Sequence, residues 1–206
     1  MPIIQQGISS RPEQERYEAR GGAKCMDKLF IILLSGPFKV GKSTLTTELE
    51  KSFSFRKVSS SGYLRALIPN IDQLNEAESR LQLQEKGDQL DIDSDYMWVI
   101  DPVTTSVIAQ NPNNLNWLVD AVRKKRQVEH FRERFGSSLT HVHLTAPEAI
   151  LRSRSSLTDE VYERAINHPN EVNARALGKF ADQVFDTSKH TPQQIAARLA
   201  KEARHA

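Results

Sequence analysis

The sequence predicts a three-layer α/β fold in which helices cover both faces of a parallel sheet. Two observations carry that expectation. Apolar strand-like runs alternate with helix-like stretches, and the first run, Leu29-Phe30-Ile31-Ile32-Leu33-Leu34, is unbroken. A strand with one solvated face alternates in polarity, whereas a continuous run of this length marks a strand buried on both faces. Alternating strands and helices are the sequence form of the crossover unit that joins parallel neighbours.

The elements follow in order. Residues 1–27 hold Pro2, Gly7, Pro12, Gly21 and Gly22 among charges, with few apolar residues. They predict a flexible arm with a short helix at 12–20, and the domain proper is expected over 28–206. After the first strand a helix is expected from Lys42 to about Lys51, a strand at Phe55–Ser59 and a short helix at Tyr63–Leu67, stopped by Pro69. Residues 71–110 carry mostly helical periodicity interrupted at Gly87 and Pro102, with a candidate strand at Met97–Ile100. Beyond a polar turn at 111–114, Leu115–Asp120 reads as the third strand and Arg123–Arg134 as a helix. Leu139–Leu144 is the fourth strand, followed by a helix through Arg154. Helices are expected at Thr158–Asn167 and Glu171–Ala181, a fifth strand at Val184-Phe185, and a closing helix at Pro192–Ala203.

Composition narrows the function. At 206 residues the chain suits one full-size domain, and 38% hydrophobic residues suffice for a core. A net charge of +2 lacks the dominant sign of a dedicated nucleic-acid binder, so no nucleic-acid partner is expected. The single cysteine, Cys25, precludes an intramolecular disulfide. No apolar run approaches a membrane span and no signal-peptide pattern is present, so a soluble cytoplasmic protein without a membrane partner is expected.

Gly36-Pro37-Phe38-Lys39-Val40-Gly41-Lys42-Ser43-Thr44 matches the phosphate-loop pattern G-x-x-x-x-G-K-[ST] between a buried strand and a helix. Gly36 and Gly41 let the backbone curl with its N–H groups inward, and the next helix aims its positive end at the same point. Lys42 is expected on the β- and γ-phosphates of ATP, with the Ser43 hydroxyl on Mg²⁺.

Leu115–Asp120 ends in a carboxylate where phosphate-loop proteins place an acid for the metal's water shell, so Asp120 is a metal and catalytic candidate and also a helix N-cap candidate. Arg123, Lys124, Lys125 and Arg126 follow as four cations in the expected first helical turn, against its dipole. An anion docking there would relieve them, and Arg123, nearest the strand, is the phosphate candidate because its guanidinium can bind bidentately.

Together with the loop, Val58-Ser59-Ser60-Ser61-Gly62-Tyr63-Leu64-Arg65 and the spacing Asp120…Arg123…Gln127 resemble the nucleoside monophosphate kinases, the adenylate and cytidylate kinase group. The resemblance implies a sheet of five parallel strands ordered 2-3-1-4-5, a helical acceptor-binding insertion at about 62–110 and a short helical lid at about 152–182. It further implies that Ser61, Gly62 and Arg65 bind the acceptor, Arg65 and Arg123 through its phosphate and Gln127 through its base, and that Arg152 and Arg154 are lid arginines, with Arg164 and Arg175 in reserve. Where adenylate kinases have Gly-x-Pro-Arg after the aspartate, here Ala121-Val122 brings Arg123 one residue closer.

The expected reaction is transfer of the ATP γ-phosphoryl group to a small nucleotide-like acceptor. A kinase of the dephospho-CoA or shikimate type, with Asp120 as base for a hydroxyl, and a non-catalytic ATP-binding switch are the alternatives. The acidic cluster Asp88, Asp91, Asp93 and Asp95 lacks the spacing of a calcium loop and reads as helix caps and acceptor-sugar contacts. His141 and His143 share one strand face without a third metal ligand nearby.

Overall fold

A computed structural model describes residues 29–120 and 122–204, so the expected arm at 1–27, with Cys25, lies outside the described residues. The strands are β1 Phe30–Ser35, β2 Arg56–Val58, β3 Asn116–Val119, β4 Leu139–Thr145 and β5 Gln183–Asp186. All pair in parallel in the order β2-β3-β1-β4-β5. The helices are α1 Lys42–Phe53, α2 Ser60–Leu67, α3 Glu76–Asp93, α4 Thr105–Ala109, α5 Lys125–Phe135, α6 Glu148–Ser153, α7 Asp159–Ile166, α8 Pro169–Ala176 and α9 Pro192–Ala203.

The unbroken apolar run is explained by burial on both faces. Phe30, Ile32 and Leu34 point to one side, into a core with Leu45 and Leu49 of α1 and Ile195 and Leu199 of α9. Ile31 and Leu33 point to the other, among Trp117, Trp98, Val128 and Phe131. Each such aliphatic side chain contributes about 1.5–3 kcal/mol on burial. β1 lies between β3 and β4, which places the loop after it at the centre of the sheet's C-terminal edge.

Several boundaries differ from expectation. α3 runs through Gly87 without a break, held at its start by a capping box between Asn75 and Glu78. Gly87 sits within this helix despite its poor helix propensity, on the side that faces Leu64 and Trp98. Met97–Val99 is a 3₁₀ turn instead of a strand. α5 starts at Lys125, because Gln127 accepts hydrogen bonds from the backbone N–H groups of Arg123 and Lys124 and leaves both residues ahead of the helix. The expected helix at 171–181 is α8 followed by a 3₁₀ turn at Leu177–Phe180. Among the described residues no helix is long and apolar enough to cross a membrane.

His141 and His143 point to the same side of β4, where the Ser35 hydroxyl lies 2.8 Å from His141 Nε2 and 2.9 Å from His143 Nδ1. His141 Nδ1 is 3.2 Å from the Phe180 carbonyl, which only accepts, so Nδ1 carries the proton. Ser35 therefore donates to His141 and accepts from His143, a chain that requires the His141 ring neutral. Burial pushes both imidazoles down, His143 to about 4 from an ordinary 6.5. Between those values the unfolded chain binds a proton that the folded chain excludes, so stability falls as pH drops from 6.5 toward 4. The loss from His143 alone is expected to reach roughly 3 kcal/mol by pH 4. Thermal melts across that range are expected to show a shallower pH slope in His143→Gln; an unchanged slope would overturn the assignment.

Candidate functional site

The site is built around residues 36–44. Gly36 has φ +144°, and a Cβ there would lie 2.6 Å from the Leu144 carbonyl oxygen, so only glycine lets the chain turn this close to β4. Gly41 at φ +98° makes the second turn and serves as N-cap of α1 without a side-chain bond. That leaves the first N–H groups of α1 uncapped by any side chain. Val40 anchors the loop in the core, 1% exposed.

Two groups of the protein hold positions in this loop suited to a phosphate's charge. Lys42 Nζ folds back to donate to the carbonyls of Gly36 and Pro37. Burial lowers its pKa to about 8, opposed by the Glu171 and Asp120 carboxylates and aided by Arg123. Glu171, in the first turn of α8, accepts from the Phe38 backbone N–H at 2.6 Å and is braced by Arg175 at 3.2 Å. An anionic oxygen thus already sits on a loop N–H.

Three cavities open on this point. The first, about 680 Å³, runs along residues 37–45 past Arg154 to Thr187, His190 and Pro192. That volume falls in the range of small-molecule sites. Arg154 donates to the Thr187 hydroxyl and carbonyl, both at 2.9 Å, and the Thr187 hydroxyl donates to the Val40 carbonyl at 3.0 Å. The second, about 700 Å³, separates the loop from α7 and α8 and is lined by Lys42, Asp120, Arg123, Arg164 and Glu171. The third, about 250 Å³, lies between α2, α3 and α5 and holds Asp88, Asp91, Trp98, Arg123, Lys124 and Gln127. Arg123 lines all three.

The expected residues are distributed unevenly. Pro37, Phe38, Lys39, Val40, Gly41, Lys42, Ser43 and Thr44 line the first cavity, and Gly36 the second. Asp120 ends β3 and pairs with Lys57 at 2.6 Å. Gln127 lines the third cavity but is 3% exposed and bonded at both ends. Arg152 is not brought to the site: its guanidinium pairs with Asp159 and Glu163 and covers the Tyr162 ring. Arg65 pairs with Asp72 at 2.9 Å and lines none of the three cavities. Ser61 contacts Ser59, nothing lies close to Gly62, and the neighbouring Ser60 lines the third cavity instead. Of the reserve arginines, Arg164 lines the second cavity and Arg175 braces Glu171 and Glu148.

Sequence reasoning missed Glu171, which carries no local signal, since a glutamate in a first helical turn reads as dipole compensation. For magnesium, the oxygen donors Ser43 and Asp120 are of the hard type it takes. No group of three or more His, Cys, Asp or Glu able to hold a metal occurs among the described residues. Such a donor set suits a cation that draws most of its shell from phosphates and water.

A family model described as an AAA domain matches residues 32–174, from β1 into α8. No curated protein matches. Among solved structures, an uncharacterised protein from Eubacterium ventriosum is similar in fold, with a TM-score of 0.53 at 7% identity over 87% of this chain and 100% of that one. A sugar kinase from a Janibacter species aligns with a TM-score of 0.48 at 15% identity over 84% and 93% of the two chains. A shikimate kinase from Aquifex aeolicus gives 0.45 at 17% identity over 85% and 98%.

Because Glu171 holds a loop N–H, a triphosphate docking on the loop would compete with it for that donor. Glu171→Gln is therefore expected to tighten binding of inorganic triphosphate several-fold by calorimetry, and Lys42→Ala to weaken it. Unchanged or weaker binding in Glu171→Gln would show that the carboxylate does not compete.

Proposed function

This chain belongs to the AAA domain family, and we propose that it is an ATP-dependent phosphotransferase acting on a nucleoside or deoxynucleoside monophosphate. The observation that carries the reading is Arg123, shared by the loop cavity and a separate cavity between α2, α3 and α5. A switch needs one nucleotide pocket. A transferase needs a second pocket opening on the phosphates of the first, with a cation at the junction.

In this reading the loop N–H groups and Lys42 hold the β- and γ-phosphates, and the nucleoside lies toward Thr187 and His190. Magnesium, when bound, would be held by the Ser43 hydroxyl and by Asp120 through water, and it supplies charge neutralisation along the phosphates. Arg123 bridges the acceptor phosphate and the transferring phosphoryl group, where developing charge is stabilised without reorganisation. Arg154 and Arg164 supply the lid's cations. An acceptor phosphate oxygen attacks the γ-phosphorus as the bond to the β-phosphate oxygen breaks. That nucleophile is already ionised, so no general base is required, and positioning dominates.

A hydroxyl acceptor, as in dephospho-CoA or shikimate kinases, is the second reading, and Asp120 favours it. Its carboxylate lines the same cavity as Lys42, where it would take the proton of an attacking hydroxyl. The Lys57 ammonium would then have to share it.

Phosphoryl transfer from ATP and magnesium to a panel of ribo- and deoxyribonucleoside monophosphates, with shikimate and dephospho-CoA alongside, tests both. Diphosphate formation is expected, abolished in Lys42→Ala and reduced roughly 100-fold or more in Arg123→Ala. Transfer to a hydroxyl acceptor alone, lost in Asp120→Asn, would install the second reading. Tight ATP binding without any transfer would leave a switch.

A further inference from the structure

The third cavity is lined by charges of both signs, Arg123 and Lys124 with Asp88 and Asp91. Arg123 stands where it meets the loop cavity; Asp91 stands against Trp98 and Gln127 and is 8% exposed. Asp91 Oδ1 accepts from Trp98 Nε1 at 2.8 Å and from Gln127 Nε2 at 3.3 Å. Its Oδ2 receives no hydrogen bond from any described residue. Asp88, one turn earlier on α3, receives only a 3.5 Å contact from Asn170. Burial pushes the Asp91 carboxyl up, against the pull of the Trp98 donor and the Lys124 charge.

Gln127, the expected base contact, is committed elsewhere. Its Oε1 accepts from the N–H groups of Arg123 at 2.9 Å and Lys124 at 3.1 Å, while its Nε2 holds Asp91. It ties the cationic side of the cavity to the acidic side and has no free acceptor with which to read a ligand.

Leu64, Leu83, Gly87 and Trp98 supply the apolar part of the cavity lining. Trp98 stacks on Tyr63 with ring centroids 6.1 Å apart and planes inclined by 21°. A Cβ at Gly87 would enter the space 3.7 Å from Leu64 and 3.8 Å from Trp98. A glycine in the middle of α3 costs helix stability, and here it keeps that slot open.

We propose that Asp91, supported by Asp88, recognises an amino group on a flat ring at the end of the acceptor opposite its phosphate, and that Gln127 is the positioning residue that orients this carboxylate. The proposal rests on the monophosphate reading for the phosphate end only. A carboxylate oxygen without a protein donor keeps an open acceptor position, and a ligand amine supplies the missing bond. A ligand carbonyl in that place would set lone pair against lone pair, a mismatch that sites built for hydrogen bonding reject strongly. Adenine, cytosine and guanine carry such an amine; uracil and thymine present carbonyls flanking a single N–H.

Equilibrium binding of nucleoside monophosphates, followed through Trp98 fluorescence against the constant background of buried Trp117, tests the assignment. The wild-type protein is expected to bind the adenosine, cytidine or guanosine monophosphate at least about tenfold more tightly than the uridine and thymidine monophosphates. Asp91→Asn, which keeps an oxygen for Trp98, is expected to bring that ratio near one. Gln127→Ala is expected to lower the ratio too, whereas mere structural damage would weaken all five ligands alike. Equal or reversed preference in the wild type, an intact ratio in Asp91→Asn, or no binding of any monophosphate would overturn the proposal. Selective binding without phosphoryl transfer would uphold it and remove the phosphotransferase reading instead.

Discussion

The whole candidate site depends on the bare approach of Gly36 to the Leu144 carbonyl. Because no side chain separates them, the loop can leave β1 in the middle of the sheet and still curl over its edge. β3 delivers Asp120 and Arg123 on one side of that loop, while β4 and β5 deliver Arg154 and Thr187 on the other. The cavities thus open beyond the strands' carboxyl ends, the kind of crevice where open α/β sheets bind ligands.

Electrostatics explain how such a site accommodates two neighbouring cations. Lys42 and Arg123 repel one another across the loop, and burial adds to the cost of the lysine's charge. Lys42 answers by donating to carbonyls of its own loop, and Glu171 lends a negative oxygen to the Phe38 N–H. Both arrangements satisfy groups that phosphate would satisfy better, because a trianionic or tetra-anionic chain offers more charge and more acceptors than one carboxylate.

What the sequence disclosed and what it hid divide along chain separation. The β1 run, the loop and Asp120 were legible because each is a local pattern with a local cause, and the strand order accompanied the resemblance. The position of Arg123 ahead of α5 was not, because it is set by the Gln127 side chain, which overrides the expectation of a helix start. Arg152 and Arg154 look equivalent in sequence. Two residues apart they are separated by about 200° around the helix, so one meets Asp159 and Glu163 while the other meets Thr187. Glu171 reaches a loop residue 133 positions away, a contact that no periodicity can announce. Within the acidic cluster, spacing could not say that Asp91 faces a cavity while Asp95 pairs with Arg126.

The first turn of α8 joins what the cavities keep apart. His168 at its cap contacts Gln84 of α3, Asn170 contacts Asp88 of α3, and Glu171 contacts Phe38 of the loop. At a rise of about 1.5 Å per residue these three side chains share one stiff segment. The helix end therefore fastens the floor of the third cavity to the loop through one short stretch of backbone, so the spacing between those two regions is set by the helix itself.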